Sequence, residues 1–187
     1  MQTTSNVETA PSLTVWDIDT SHAAANFRVR HLMVAHVRGQ LGPITGTAWI
    51  DDKDPSRSRV EASIDVRGID TREAKRDEHL RSADFFDVEK FPSLTFRSTA
   101  VKKQGSGLAL VGELTLHGVT REITLEIEEL SPAVKDPWGN LKRGITAKGK
   151  LNRKDYGLGW NVALETGGIL VGEEVHIELE VELTARP

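Results

Sequence analysis

Ten consecutive residues near the C-terminus alternate strictly between apolar and polar side chains. The apolar set is Val175, Ile177, Leu179, Val181 and Leu183, and the polar set is Glu174, His176, Glu178, Glu180 and Glu182. Because successive side chains of a β-strand point to opposite faces, this segment has one buried face and one wet face. Such strands are typical of antiparallel sheets, since parallel sheets are covered on both faces. The pattern predicts an antiparallel, largely β fold.

The same period of two recurs along the chain. In five further segments, every second residue is apolar or small. These residues are Ile44, Gly46, Ala48 and Ile50; Val60, Ala62, Ile64 and Val66; Leu108, Leu110, Gly112, Leu114 and Leu116; Ile123, Leu125 and Ile127; and Ile145, Ala147, Gly149 and Leu151. Turn-forming residues separate these runs, for example Gly105-Ser106-Gly107 and Gly167-Gly168. About eight strands with short connections predict a sandwich or a barrel.

One segment, from Asp70 to Asp87, departs from this period. Asp70 and Glu73 have the spacing of a helix N-cap and its reciprocal partner, and good helix formers follow them. We therefore expect one short helix over residues 71–83, inserted between the fourth and fifth strands.

Length and composition narrow the class of protein. The chain has 187 residues, which fits one domain over residues 13–187, preceded by a polar, flexible arm over residues 1–12. It has no cysteine, so thiol nucleophiles, thiolate metal sites and disulfides are excluded. The formal net charge is −4 with both signs interspersed, which argues against a nucleic-acid partner.

The chain carries no apolar run long enough to cross a bilayer, so we do not expect a transmembrane protein. Its first residues have neither the basic nor the apolar region of a secretory signal peptide. The expected location is therefore cytoplasmic. Whether the protein is a homodimer is left open.

Two central segments resemble a known family. The first runs from Arg76 to Pro92, and the second from Gly112 to Thr120. Further similar segments are Trp16 to Asp19, Phe27 to Leu32, Asn152 to Leu158 and Val171 to Val175. Together they resemble the bacterial YceI-like family of lipocalin-like polyisoprenoid-binding proteins, and the resemblance spans nearly everything from Trp16 onward.

The resemblance implies an all-β fold, a lipocalin-like eight-stranded antiparallel β-barrel with the short helix between its fourth and fifth strands. It also implies a hollow barrel that sequesters or transports a long apolar lipid, such as a polyprenyl chain or an isoprenoid quinone. Such a lipid would be a bound ligand, and no cofactor is expected. Many relatives are exported, which the first residues of this chain do not support.

Small residues at inward positions bear on whether the barrel is hollow. They are Gly46, Ala48, Ala62, Gly112, Ala147 and Gly149. An eight-stranded barrel is only just wide enough for its side chains to fill, and small residues can leave room for one ligand. Alternatively, small and large residues alternate across facing strands and fill the interior. The residues leave both options open, and the resemblance favours the hollow barrel.

Apolar ligand contacts follow from parity and from the helix. Parity places Phe27, Ala62, Phe96 and Ala147 inward. The helix and the chain after it carry Leu80, Phe85, Phe86 and Phe91, which would form a lid or line the tunnel. The alternative is an ordinary small core beneath a crossover connection.

Polar ligand contacts are expected from four side chains clustered at one end of the cavity. Parity places His31 and Arg153 inward, and the helix carries Arg76 and His79. Arg76 or Arg153 would be the main donor to the polar end of the ligand. A buried arginine must meet a ligand oxygen or an acidic residue such as Asp77. The alternative is a structural network that pins the helix to the barrel rim.

Two other functions remain alternatives. An enzyme that acts on an apolar substrate in the same cavity would need a titratable group inside, and His31 is the candidate by parity. No catalytic motif is present, and His31, His36 and His79 lack the spacing of a zinc site, so neither a catalytic residue nor a metal site is predicted. The third possibility is a stress-response or interaction module with a filled core.

Overall fold

The computed structural model describes residues 13–187, so the predicted arm lies outside the described residues. The strands are β1 (Leu13–His31), β2 (Ala35–Gln40), β3 (Ile44–Asp51), β4 (Arg59–Asp65), β5 (Ser93–Gln104), β6 (Gly107–Leu116), β7 (Val119–Leu130), β8 (Val134–Lys135), β9 (Leu141–Asn152) and β10 (Val171–Ala185). The helix is α1 (Ala74–Arg81), and single 3-10 turns span Pro55–Arg57, Val66–Gly68 and Arg153–Tyr156.

Eight of these strands close into an antiparallel barrel. Their order is β10-β1-β3-β4-β5-β6-β7-β9, and β9 pairs back with β10. The short strands β2 and β8 pair with β1 and β9, outside this ring. The predicted fold class is confirmed, including the position of the helix between β4 and β5.

The inward parity is also confirmed. In β10, Ile177 lies between Phe27 of β1 and Gly149 of β9, and Leu179 lies between Ala25 and Ala147. Leu183, at the end of the alternating run, is fully buried. Burial of this apolar face, at about 25 cal/mol per Å² of apolar surface, is the main force that holds the barrel together.

The barrel has two distinct ends. Leu13 of β1 pairs with Asp51, so the start of β1 lies beside the β3–β4 connection. We call this the β3–β4 end. The other end of β1 pairs with the start of β10, at His31 and Val171. Here Gln40 bridges to Asp70, which brings in α1, and we call this the helix end.

The helix begins later than the sequence predicts. Its N-cap is Glu73, whose carboxylate accepts hydrogen bonds from the backbone N–H groups of Lys75 and Arg76. Asp70 instead accepts from the N–H of Arg72, at 2.7 Å. Arg72 has a positive φ of 64°, which interrupts any helix that starts before it. Within residues 13–187 no helix is long and apolar enough to span a bilayer.

The three inward glycines do not leave empty space, contrary to their predicted role. A Cβ at Gly112 would lie 2.5 Å from the ring of Phe96, and one at Gly149 would lie 2.7 Å from a methyl group of Leu125. At Gly46 it would meet the backbone of Glu61 and Ala62. These glycines allow neighbouring strands and side chains to approach closely, and the free volume lies elsewhere.

Candidate ligand-binding cavity

The barrel encloses a cavity of about 280 Å³. This is close to the lower end of the roughly 300–1,000 Å³ range of small-molecule sites. The lining comes from all eight barrel strands, and most of it is apolar: Ile18, Ile44, Ala48, Ile50, Val60, Ala62, Ile64, Leu94, Phe96, Val101, Leu108, Leu110, Leu114, Ile123, Leu125, Ile127, Leu130, Ile145, Ala147, Ile177, Leu179, Val181 and Leu183, with Leu41 from the β2–β3 connection. The barrel is therefore hollow, and its wall is hydrophobic.

Three of the predicted contacts line this cavity. They are Ala62, Phe96 and Ala147, whose inward parity follows from the strands that carry them. Ala62 pairs with Phe96 across β4 and β5, so a small and a large side chain lie side by side. The alanines leave the free volume that larger side chains would fill.

The polar lining is confined to the β3–β4 end, where it comes from Asp51, Asp52, Ser58 and Arg59. Asp51 is buried, and its Oδ1 accepts hydrogen bonds from the N–H groups of Lys53 and Asp54, each at 3.0 Å. The hydroxyl oxygen of Ser58 accepts from the N–H of Asp51, also at 3.0 Å. These bonds hold the β3–β4 connection in one conformation.

Arg143 and Arg59 flank this opening. The guanidinium of Arg143 donates to Asp52 at 2.7 Å and to the carbonyl of Ser131 at 2.8 Å, which ties the start of β9 to the β3–β4 connection. Arg59 is exposed, and its guanidinium carbon lies 4.2 Å from the ring centroid of Trp49. The cavity therefore opens between charged and polar groups at this end.

The helix end is closed by an aromatic cluster. The ring of His79 lies edge-on to Phe85 and Trp160, with ring centroids 5.1 and 4.7 Å apart. Phe85 is buried in the main core, whereas Leu80 and Phe86 pack against that core from outside. The predicted lid covers this end, but these side chains do not line the cavity in the part of the chain that the structure describes.

Arg76 takes part in a network that holds the helix. Its guanidinium donates to the hydroxyl and the carbonyl of Thr71, at 2.7 and 2.8 Å. The buried carboxylate of Asp77 accepts from the hydroxyl and the N–H of the same threonine. Thr71 thus joins Arg76 to Asp77, which is the structural alternative described above. The Nε2 of His79 donates to the carboxylate of Asp84, at 2.8 Å.

Arg153 meets neither of the partners expected for it. Its side chain is buried, and its guanidinium donates to the backbone carbonyls of Leu158, Trp160, Val171 and Gly172. Desolvation lowers the pKa of this guanidinium. Four carbonyl dipoles replace the expected carboxylate or ligand oxygen, so Arg153 fastens the segment 158–172 to the barrel.

The remaining predicted contacts lie outside the cavity. Phe27 packs against the core, where Gly39 leaves room for its ring. Phe91 lies against His117 of the β6–β7 turn, with ring centroids 4.8 Å apart. His31 is partly exposed at the end of β1. His31, Arg76, His79 and Arg153 all lie at the helix end, but in residues 13–187 none of the four contributes to the cavity lining.

Titratable groups are unevenly distributed. Away from the β3–β4 end, the lining drawn from residues 13–187 contains no titratable side chain.

Asp19, His22 and Glu182 form a group of potential metal ligands on the surface of the barrel, away from the cavity. The ammonium of Lys142 lies 2.9 Å from both carboxylates and supplies the positive charge there. Bonds from Ser21, Lys142 and His22 hold the pKa of Asp19 well below its usual range.

The polar opening was missed, although the sequence carried a signal for it. Asp52 continues the inward parity of Ile44, Ala48 and Ile50, and Ser58 precedes Val60 in the same parity. Extending each strand by one inward position would have placed both side chains at the rim.

Comparison with known proteins gives a consistent result. A family model, the YceI-like domain, matches residues 16–183. The protein YceI of Salmonella newport (strain SL254) is 40% identical over 166 residues, which cover 89% of this chain and 83% of that protein. The protein YceI of Salmonella arizonae has the same identity and coverage.

Solved structures share the fold. BcnA of Burkholderia cenocepacia has a TM-score of 0.76 at 17% identity, covering 88% of this chain and 98% of that one. The Campylobacter jejuni YCEI protein has a TM-score of 0.70 at 24% identity, covering 84% and 90%. A polyisoprenoid binding domain from Saccharophagus degradans has a TM-score of 0.62 at 16% identity, covering 93% and 99%. These identities support likeness of fold alone. With the family model matching most of its length and relatives at 40% identity, the chain belongs to the YceI-like family.

Proposed function

We propose that this protein binds and sequesters or transports a long apolar lipid of the isoprenoid type inside the barrel. The observation that carries the proposal is a closed barrel with an aliphatic cavity whose polar groups are confined to one end. Such a cavity favours a molecule with a long hydrocarbon part, because burial of apolar surface drives binding and few polar contacts orient the ligand. The structural neighbour from Saccharophagus degradans, a polyisoprenoid binding domain, supports this ligand class.

The proposal places the polar end of the lipid at the β3–β4 end. Asp52, Ser58 and Arg59 are there, and Arg59 can donate to a phosphate or hydroxyl oxygen. The helix-end side chains are not part of this proposal, because Arg76 and Arg153 already donate to protein oxygens. Binding is proposed in place of catalysis because the deep lining among the described residues carries no acid or base.

The first experiment measures uptake of a polyprenol by the purified, delipidated protein, with lipid extraction and mass spectrometry of the native protein alongside. Ala62→Phe and Ala147→Phe place a ring in the cavity, and each should lower uptake at least ten-fold while the β circular-dichroism spectrum persists. Ser63→Phe, on the outer face next to Ala62, is the matched control and should bind normally. Uptake unchanged in both cavity variants would contradict the proposal.

The same assay tests the orientation of the ligand. Polyprenyl phosphate and polyprenol are compared on Arg59→Gln and Arg76→Gln. Arg59→Gln should weaken only the phosphate, whereas Arg76→Gln should change stability and leave both affinities as they are. The opposite result would move the polar end to the helix end.

A further inference from the structure

The turn between β1 and β2 has an unusual composition. Leu32 and Met33 are its central residues, with positive φ values of 51° and 61°, and the N–H of Val34 donates to the carbonyl of His31 at 3.1 Å. Three residues connect the strands, since His31 pairs with Ala35. Turns with positive φ at both central residues strongly prefer asparagine and glycine, because a Cβ is disfavoured at positive φ. Here two bulky apolar residues occupy both strained positions.

The same residues are strongly exposed. Leu32, Met33 and Val34 expose 40%, 54% and 80% of their surface, and Val162, in the segment beside them, exposes 45%. The N–H of Leu32 donates to the carbonyl of Leu170, which holds the turn against that segment. Four apolar side chains therefore face solvent at the helix end, and the backbone is strained to present two of them.

Positive charge follows directly behind this tip. Arg28 and Arg30 of β1 lie on the outer face, directly opposite Arg38 and His36 of β2. Arg28 with Arg38 is a pair of like charges, which destabilises a strand pair. Desolvation and the neighbouring arginines lower the pKa of His36, so Arg30, Arg28 and Arg38 carry the charge here. No aspartate or glutamate occurs from Thr20 to Ile50, although the whole chain has a net charge of −4.

Neighbouring acids do not neutralise these arginines. On β10, Glu174 is within ion-pair distance of Lys150 and His176, at 3.2 and 3.0 Å. Within residues 13–187 no carboxylate lies within 4.0 Å of the guanidinium nitrogens of Arg28, Arg30 or Arg38. Arg30 and Arg38 are exposed and present their charge to solvent, whereas Arg28 is half-buried and its Nε is covered.

We propose that residues 28–38, the basic hairpin, dock this protein on the surface of a lipid bilayer that contains anionic lipids. The apolar tip would enter the interface, and the arginines would meet the lipid phosphates. At about 3.3 Å per residue, Arg30 and His36 lie roughly 7 Å behind the tip. Interfacial segments bury their apolar face by about 5–10 Å, so this pair reaches the headgroup level.

A bilayer fits these observations better than an acidic protein does. The turn presents consecutive apolar residues, and arginines follow directly behind them. This order matches an anionic bilayer, in which the apolar acyl chains lie beneath negatively charged headgroups. The basic hairpin lies at the helix end, whereas the cavity opens at the β3–β4 end. Docking is therefore independent of the proposed lipid binding, and the two can be tested separately.

The test is flotation of the full chain with vesicles of phosphatidylcholine, alone or with about one third phosphatidylglycerol. We expect binding to the anionic vesicles that weakens with added salt. The double variant Leu32→Asn/Met33→Gly removes the apolar tip and installs residues that this turn prefers, so it should fold well and lose at least ten-fold in partition. Arg30→Gln/Arg38→Gln should lose a similar amount, and Lys102→Gln/Lys103→Gln, at the far end of β5, should bind normally.

Polyprenol uptake by all three double variants should equal that of the parent protein, which separates docking from the cavity. Three results would overturn the proposal. One is equal partition of the parent protein on neutral and anionic vesicles. Another is full anionic-vesicle binding by Leu32→Asn/Met33→Gly. The third is binding of the parent protein to soluble polyglutamate with none to vesicles, which would identify an acidic protein as the partner.

Discussion

At the scale of single residues, buried polar groups in this barrel find hydrogen-bond partners in the backbone, as at Asp51 and Arg153, or in backbone and side chains together, as at Asp77. Arg153 is the clearest case, because its donors meet four carbonyl groups from a segment that begins five residues later in the chain. An unpaired buried arginine would be costly, and this arrangement avoids that cost without a carboxylate. A side chain that sequence parity places inward can therefore act as a fastener of a loop.

Tyr156 is an exception to this rule, and it gives the residue-scale prediction. Its side chain is 1% exposed, its hydroxyl has no hydrogen-bond partner in the described structure, and burial raises its pKa. Because an unsatisfied buried polar group costs about 1–3 kcal/mol, Tyr156→Phe should leave stability unchanged or raise it by about 1 kcal/mol in urea denaturation. Tyr156→Ala, the control for the ring itself, should cost about 3–5 kcal/mol. A clear loss of stability in Tyr156→Phe would show that the hydroxyl has a partner.

The sequence predicted apolar residues of the cavity wall correctly, but it did not predict which polar residues lie at the cavity opening. Ala62, Phe96 and Ala147 line the cavity as their parity requires. Parity depends only on the alternation of side chains along one strand. Hydrogen-bond partners depend on which distant segment lies opposite, so the roles of Arg76 and Arg153 could not be obtained in this way.

At the scale of elements, α1 is held more by its connection to the barrel than by its own sequence. It has eight residues, which is too short for an isolated helix to be stable in water. Its N-cap Glu73, the network at Thr71 and the aromatic contacts of His79 fix both of its ends. The helix was predictable because its residues lack a period of two, but its first residue depended on the backbone at Arg72.

The Thr71 network makes an element-scale prediction. Thr71→Val removes the hydroxyl that donates to Asp77 and accepts from Arg76, so a buried carboxylate loses one of its two donors. We expect a loss of about 1–3 kcal/mol in the free energy of unfolding and faster amide exchange over residues 70–82. Thr71→Ser retains the hydroxyl and should recover most of that loss. Equal stability of the valine and serine variants would contradict the role of this network.

At the scale of the whole molecule, the barrel closes through contacts between residues far apart in the chain. Lys142 of β9 bonds to Asp19 of β1 and Glu182 of β10, and Arg186 bonds to Asp17. The Lys142 pairs lie where β1 bulges between Ile18 and Ala23 and its pairing with β10 is interrupted, whereas Asp17 lies just before the bulge and pairs with Thr184. They reinforce the seam where the first and last strands meet.

This seam predicts a pH dependence. The pKa of Asp19 is lowered in the folded state by Ser21 first, then by Lys142 and His22, from an ordinary value of 3.8. A lowered folded pKa contributes stability above the unfolded value, and that contribution is lost as the pH falls through the folded value. Asp19→Asn should therefore cost about 1 kcal/mol at pH 7, and the difference should shrink below pH 3.8. Urea denaturation across this range measures it.

Glu165→Gln provides the control for a general charge effect, because Glu165 is exposed in the 157–170 segment. Its stability should follow that of the parent protein at every pH. An Asp19→Asn difference that stays constant from pH 7 into the acid range would rule out the linkage.

The sequence by itself determined the antiparallel strands, the inward face of each strand and the presence of one helix between β4 and β5. These features follow from local sterics and from burial of apolar side chains at a period of two. Tertiary structure decided which end of the barrel is polar, where the free volume lies and which carbonyls meet Arg153. Those outcomes depend on pairs such as Arg143 with Asp52, separated by 91 residues, which become neighbours only when the barrel closes.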